Sequence, residues 1–130
     1  MKKNILIVKR NANMRRLLAA FLSEHFHVSV AQGSLEAMAV LKYGLLPEAI
    51  VAESRATFLN GNHLLEMLRC SGIYHDIPVL ILCDDNKSPN EFEHFHNLGA
   101  AVCMTKPFNP LILRQHLLHL VPSMASESTF

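Results

Sequence analysis

The segment 78–104, PVLILCDDNKSPNEFEHFHNLGAAVCM, contains a complete strand–helix–strand unit. Its first part, residues 78–83, is an apolar run with the length and composition of a strand buried on both faces. Residues 88–91 (SPNE) then supply an N-cap, a proline at the first helical position and a capping box. Gly99 suits the end of that helix, and residues 100–104 form a second apolar run. Two strands joined by one helix predict a parallel pair with a crossover connection.

The rest of the chain repeats this alternation. Residues 5–8 (ILIV) and 49–52 (AIVA) are apolar runs that suit strands, and residues 27–31 (HVSVA) also suit a strand. Stretches with helical spacing of apolar residues separate them. Five strand–helix units imply a parallel sheet with helices on both faces. Because crossovers are right-handed, the predicted fold class is α/β with a doubly wound five-stranded parallel sheet.

The helical stretches also carry signals for their buried faces and their ends. In the first helix the apolar spacing predicts an inward face made of Met14, Leu17, Leu18, Phe21 and Leu22. In the second helix Ser34 is the predicted N-cap, and Gly44 lies near the end. The last helix is predicted to begin at Asn109-Pro110, a cap followed by proline.

Length and composition indicate one ordinary globular domain. The chain has 130 residues, of which 50% are hydrophobic and 18% are charged. We expect the domain at residues 1–121 and a flexible tail or the start of a linker at 122–130. A net charge of +1 argues against nucleic-acid binding. The three cysteines form no CxxC pair, which suits a reducing compartment. The apolar runs are too short for a signal peptide or a membrane span, so we expect a cytoplasmic protein.

Candidate site residues follow the predicted strands. Ligand sites in doubly wound sheets form at the carboxyl ends of the strands. In chain order these positions hold Lys9-Arg10, Glu53-Ser54-Arg55, Cys83-Asp84-Asp85 and Thr105-Lys106.

Several motifs in this order resemble the receiver domain of two-component response regulators over residues 3 to 121. They are the ILIV run at 5–8, Pro47-Glu48, Asn60-Gly61, Ile77-Pro78-Val79, Gly99-Ala100 and, as the most specific, Thr105-Lys106-Pro107-Phe108. The resemblance implies a CheY-like, flavodoxin-type (βα)5 fold with strand order 2-1-3-4-5. It also implies a bacterial-type signalling module that receives a phosphoryl group on an aspartate from a histidine kinase.

The chemistry of that family needs an acidic pair and an aspartate to hold Mg²⁺, and a hydroxyl and a lysine to contact the phosphoryl oxygens. Carried over position by position, the acidic pair falls on Lys9 and Arg10, and the phosphoacceptor falls on Glu53. The hydroxyl falls on Cys83, and the aromatic switch residue of the fifth strand falls on Cys103. Only Lys106 matches. The sequence therefore predicts a degenerate pseudo-receiver that has no metal site, has lost Mg²⁺ binding and is not an enzyme.

Two interpretations of the altered pocket stay open at this stage. In the first, Lys9, Arg10 and Lys106 hold Glu53 permanently, as cations in place of the metal, and the fixed state resembles the phosphorylated one. In the second, Lys9 and Arg10 point into solvent and the pocket is vestigial. Net stabilisation from a buried ion pair is small because desolvation offsets the attraction.

The predicted function is phosphorylation-independent binding of a protein partner, or self-association, through helix four, strand five and helix five (residues 91–119). A histidine kinase or a downstream effector is the expected partner class. One alternative is a phosphoacceptor at Glu53, Asp84 or Asp85. The other is a small-anion or metal sensor, with Arg55 and Lys106 as possible anion contacts.

Two pairs of histidines are close in sequence, His94 with His96 and His116 with His119. A zinc site needs at least three converging ligands, and neither pair has an evident third one.

Overall fold

The computed structural model describes residues 2–59, 62–83, 91–105 and 108–121. Its central element is a five-stranded parallel sheet in the order β2-β1-β3-β4-β5. The strands are β1 (Lys3–Val8), β2 (Phe26–Ala31), β3 (Ala49–Glu53), β4 (Val79–Cys83) and β5 (Val102–Thr105). The predicted fold class and the strand order implied by the resemblance are both confirmed.

Five helices connect and cover these strands. They are α1 (Ala12–Leu22), α2 (Ser34–Lys42), α3 (Leu64–Arg69), α4 (Glu91–Asn97) and α5 (Pro110–Leu120). A 3₁₀ turn at Ser54–Thr57 follows β3, and a short antiparallel ribbon pairs Phe58–Leu59 with Asn62–His63. The sequence did not predict the ribbon. The cap residues expected at 88–90 and the tail expected at 122–130 lie outside the described residues.

The sheet divides the core into two layers because alternate residues of each strand face opposite sides. In β1, Leu6 and Val8 pack with α2, α3 and Phe95 of α4, while Ile5 and Ile7 pack with α1 and α5. All four side chains are fully buried. Burial on both faces explains why β1 appears in the sequence as a continuous apolar run rather than an alternating one.

Three helix ends follow their capping signals and one does not. The Asn11 and Asn109 side chains accept hydrogen bonds from Met14 N and Leu111 N, each at 2.9 Å, at the starts of α1 and α5. Gly44 ends the α2 region at a φ of 102°. The prediction for α2 was wrong, because Gly33 is the N-cap and Ser34 is already helical and buried.

The predicted inward face of α1 is too wide. Leu18 and Leu22 are buried against the sheet, but Met14 and Leu17 are 46% and 65% exposed. The helix contacts the sheet along one row of side chains, and its second apolar row is exposed beside α5. Apolar spacing alone does not distinguish these two rows.

Arg69 joins three segments at the amino ends of β4 and β5. Its guanidinium donates to the carbonyls of His75 and Ile77 at 3.0 and 2.8 Å, and to the carbonyl of Gly99 at 2.9 and 3.2 Å. Burial lowers the pKa of Arg69, and nearby Asp76 acts in the opposite direction. Gly99 has a φ of 103°, and a Cβ there would lie 2.7 Å from Arg69 Nε. This turn therefore needs glycine for two reasons, the backbone angle and the space.

Among the described residues, none of the helices combines the length and the apolar character that a membrane crossing requires.

Candidate functional site

The carboxyl edge of the sheet brings Lys9 and Glu53 together. Val8 of β1 is paired with Ala52 of β3, so the next residue of each segment lies side by side. Lys9 Nζ is 3.2 Å from Glu53 Oε2. The two residues are only 4% and 7% exposed, so this is a buried ion pair and not a surface one.

Arg10 contributes to the same carboxylate in a way that the sequence did not indicate. Its backbone N–H donates to Glu53 Oε1 at 3.2 Å, while the residue itself is exposed. The first of the two interpretations had the side chains of both Lys9 and Arg10 act as counter-charges, and the second had both in solvent. Among the described residues Lys9 contributes its side-chain cation and Arg10 its backbone N–H, so each carboxylate oxygen has a partner.

Arg15 supports this arrangement from α1, and sequence reasoning missed it. Its Nη1 donates to the carbonyl oxygen of Lys9 at 2.9 Å and to that of Arg10 at 3.3 Å. These bonds hold the β1–α1 loop in the conformation that offers the Arg10 N–H to Glu53. The only sequence signal is a basic residue in the first turn of α1, where the helix dipole favours acidic side chains.

The two cysteines of the predicted site lie on neighbouring strands, as expected. Cys83 is the buried last residue of β4 and is paired with Thr105, while Cys103 is paired with Ile81. The cysteines are thus offset by two positions along adjacent strands. With strands about 4.8 Å apart and a rise of about 3.3 Å per residue, their Cα atoms are separated by about 8 Å. That distance is too long for a disulfide without backbone movement.

The remaining predicted residues do not all fall within the described part of the chain. Arg55 lies in the 3₁₀ turn after β3 and is exposed. Lys106, Asp84 and Asp85 lie outside the described residues. Within the described ranges no three His, Cys, Asp or Glu side chains converge as a metal-binding group, and the histidines of α4 and α5 are included in that statement.

The chemistry of the pair follows from its burial. Two opposite charges about 4 Å apart attract by roughly 4 kcal/mol at an effective dielectric near 20, and desolvation offsets much of this attraction. The net gain in stability is small, but removal of either partner takes the opposite charge away from a group that stays buried. The pair therefore fixes the geometry of this edge more than it stabilises the domain.

Comparison with known proteins places this geometry in context. No family model matches the chain. Among curated proteins, the hybrid signal transduction histidine kinase D of Dictyostelium discoideum is 25% identical over 120 residues, which are 92% of this chain and 8% of that protein. The chain thus spans only 8% of the length of that relative.

Solved structures give the stronger likeness. The chemotaxis response regulator CheY4 of Vibrio cholerae superimposes with a TM-score of 0.81 at 22% identity, over 93% of this chain and 100% of the other. A response-regulator receiver domain from Francisella gives 0.81 at 22% identity, over 92% and 96%. The signal receiver domain of a histidine kinase from Syntrophus aciditrophicus gives 0.81 at 22% identity, over 98% and 94%. The chain therefore has the fold of response-regulator receiver domains.

Proposed function

We propose that the chain is an atypical receiver domain of two-component signalling that binds a protein partner without being phosphorylated. The observation that carries this proposal is the buried ion pair between Lys9 Nζ and Glu53 Oε2 at 3.2 Å. It lies where the resemblance places the metal and the phosphoacceptor. On this proposal the domain is a cytoplasmic binding module and not an enzyme.

The donor set at this edge does not fit Mg²⁺. That ion needs hard oxygen ligands in octahedral geometry. Two of the positions that would supply them carry Lys9 and Arg10, and the Lys9 ammonium is directly against the remaining carboxylate. A unit charge about 4 Å from another costs roughly 4 kcal/mol at an effective dielectric of 20 when the signs are equal, and a divalent ion doubles that cost.

Glu53 is also a poor phosphoryl acceptor in this arrangement. Oε2 accepts a hydrogen bond from the Lys9 ammonium and Oε1 accepts one from the Arg10 N–H. A hydrogen bond to the attacking oxygen draws electron density from it and lowers its nucleophilicity. The position of the phosphoryl-binding hydroxyl holds Cys83, whose thiol is a weak donor. Without a metal, the charge on the transferring oxygens would lack the divalent ion that bridges them in phosphoryl transfer.

The partner surface suggested by the resemblance consists of α4, β5 and α5. Apolar side chains are exposed on it, among them Phe92, Ile112 and Leu118. All four residues of β5, an edge strand of the sheet, are only half-buried. Exposed apolar side chains beside an edge strand suit a protein contact. A histidine kinase or a downstream effector is the partner class that we propose.

The decisive experiment is an Mg²⁺ titration, with and without beryllofluoride, followed by amide NMR shifts. The Arg10 amide is the best reporter because it donates directly to Glu53. We expect no saturable shift in the natural chain at millimolar Mg²⁺. A reconstructed variant with Lys9→Asp, Arg10→Asp, Glu53→Asp and Cys83→Ser should gain saturable Mg²⁺ shifts.

A charge-matched control separates ligation from a change in net charge. Arg16→Asp combined with Lys42→Asp replaces two exposed cations elsewhere and should leave Mg²⁺ unbound. Saturation in the natural chain would overturn the proposal and favour a phosphoacceptor at Glu53, Asp84 or Asp85. Stabilisation by phosphate beyond that of a matched chloride salt would instead favour an anion sensor.

A further inference from the structure

The outward face of α5 carries two histidines that the candidate site does not use. His116 and His119 are three positions apart, so they lie on the same side of the helix. His116 is half-buried and His119 is exposed. A shallow surface groove of about 670 Å³ runs along this face, and its lining among the described residues belongs to α5: Ile112, Gln115, His116, Leu118 and His119.

The core fixes the orientation of this pair. Leu113 and Leu117 of α5 are fully buried in the layer that packs against the sheet. Because these two side chains face inward, the rotation of the helix is set and the histidines are held on its outer side. Ligands on a helix that is anchored in this way are positioned more precisely than ligands on a loop.

Two imidazoles in this arrangement form half of a zinc site. Imidazole nitrogen is a ligand that Zn²⁺ accepts readily, and ligand pairs at i and i+3 of a helix occur in metal-binding bundles. Tetrahedral Zn–N bonds of about 2.0–2.1 Å place neighbouring nitrogens about 3.4 Å apart. Two rings whose Cβ atoms are about 5–6 Å apart can meet that requirement. A structural zinc site needs four ligands, so the pair supplies two of them.

The missing two ligands do not come from the same chain. Within the ranges that the structure describes, no three His, Cys, Asp or Glu side chains converge. The flanks of the pair suit a contact with another surface, since Ile112 and Leu118 are 46% and 42% exposed. The groove lining contains no Lys, Arg, Asp or Glu, so this face can meet itself without opposing like charges.

We propose that His116 and His119 bind Zn²⁺ together with the same two histidines of a second copy of the chain. In a twofold dimer each copy presents the same patch, so two half-sites make one tetrahedral site. The inference rests on the proposed binding function, because α5 is part of the surface given above, and it names one occupant of that surface. The site exists only in the pair of chains, and a single chain has half of it.

The histidines of α4 do not offer a second half-site. His94 and His96 are two positions apart and therefore point to different sides of their helix. His96 Nδ1 lies 3.2 Å from the carbonyl oxygen of Ala100, and the centre of the His94 ring is 5.4 Å from that of Phe95. The exposed His94 therefore supplies a control substitution of the same chemical kind.

The test adds zinc chloride to the untagged chain and measures its mass by sedimentation velocity. We expect a monomer in EDTA and a dimer with zinc, and calorimetry should give one zinc for two chains. Magnesium chloride at the same concentration should leave the chain monomeric, because Mg²⁺ prefers oxygen ligands.

Paired variants locate the metal. His116→Gln and His119→Gln should each weaken zinc binding by at least about tenfold and abolish the dimer, since changes that merely adjoin a metal ligand already cost about 10–100-fold. His94→Gln should keep both the affinity and the dimer. Circular dichroism confirms that the three variants remain folded.

Each alternative result overturns the inference. One zinc bound per monomer would mean that water completes an isolated pair, and a dimer that persists in EDTA would remove the role of the metal. A zinc-dependent dimer that survives both α5 variants, or that is lost in Cys70→Ser at the exposed cysteine, would place the metal elsewhere. All of these outcomes leave the proposal on the Lys9–Glu53 pair intact. Saturation with Mg²⁺ and beryllofluoride would overturn that proposal and leave the zinc result unchanged.

Discussion

Two glutamates at opposite ends of β3 bind the segment of β1 in different ways. Glu48, just before β3, accepts a hydrogen bond from Asn4 N at 2.6 Å and donates its own N–H to Asn4 O at 2.8 Å. Glu53, at the end of β3, accepts from Arg10 N at 3.2 Å and also contacts the Lys9 ammonium. Each carboxylate thus joins the two strands through a backbone amide, and the second also contacts the buried Lys9 ammonium.

The contacts of Glu48 hold the two strands together, whereas the contact of Glu53 with Lys9 belongs to the candidate site. At the Glu48 end a carboxylate and backbone groups hold β1 against β3. These hydrogen bonds continue the parallel pairing of Ile5–Val8 with Ala49–Ala52. The lysine at the other end is a property of the pocket, and its removal should have consequences that the loss of an ordinary strand contact does not have.

The largest effect is expected from Lys9→Met. It removes the ammonium that lies against the buried Glu53 carboxylate, which should lower the free energy of unfolding by about 3–5 kcal/mol. The double variant Lys9→Met with Glu53→Leu removes both charges and should recover to within about 1 kcal/mol of the natural chain. Urea denaturation of both single variants and the double variant measures the coupling. A loss in Lys9→Met below about 0.5 kcal/mol would mean that the pair is not effectively buried.

The next largest loss of stability is expected at Gly99, whose carbonyl accepts hydrogen bonds from the Arg69 guanidinium. Gly99→Ala forces a Cβ toward Arg69 Nε and imposes a positive φ, so we expect a loss of roughly 2–3 kcal/mol. Gly44→Ala has a nearly identical φ of 102° and open space around its Cβ, so it should lose only about 1 kcal/mol. Thermal denaturation of both measures the difference. Equal losses would show that the Arg69 contact contributes nothing to the need for glycine.

A smaller effect is expected from Glu48→Ala. The change removes the carboxylate acceptor of the Asn4 N–H and should lower stability by about 1–2 kcal/mol. It leaves no buried charge behind, so the loss should be clearly less than that of Lys9→Met. Chemical denaturation in the same buffer compares the two. If Glu48→Ala cost as much as Lys9→Met, the contrast between the two ends of β3 would not hold.

The smallest effect is expected from Arg15→Ala. Loss of its bonds to the carbonyls of Lys9 and Arg10 should cost about 1 kcal/mol and shift the Arg10 amide resonance. Arg16→Ala is the matched control, since the exposed Arg16 donates to the exposed Asn13 side chain and its loss should cost under about 0.5 kcal/mol. An unshifted Arg10 amide in Arg15→Ala would show that the loop holds its shape without this arginine.

Much of the architecture could be predicted because its signals are local. Continuous apolar runs gave the strands, Asn109-Pro110 gave the start of α5, and Gly44 and Gly99 gave helix ends. The wrong predictions, the N-cap of α2 and the width of the buried face of α1, arose where a local signal fitted two answers. Ser34 and Gly33 are both good N-cap residues, so sequence preference did not separate them. Apolar spacing on α1 did not separate the row against the sheet from the exposed row beside α5.

The site was predictable in composition but not in geometry. Strand ends in a doubly wound sheet are known to meet, so the sequence by itself determined that Lys9, Arg10 and Glu53 would share one edge. Only the tertiary structure decided that Lys9 is buried against Glu53, that Arg10 contributes its backbone and that Arg15 supports the loop. The physical reason is that burial and hydrogen-bond direction depend on neighbours distant in the chain, whereas strand and helix signals depend on residues a few positions apart.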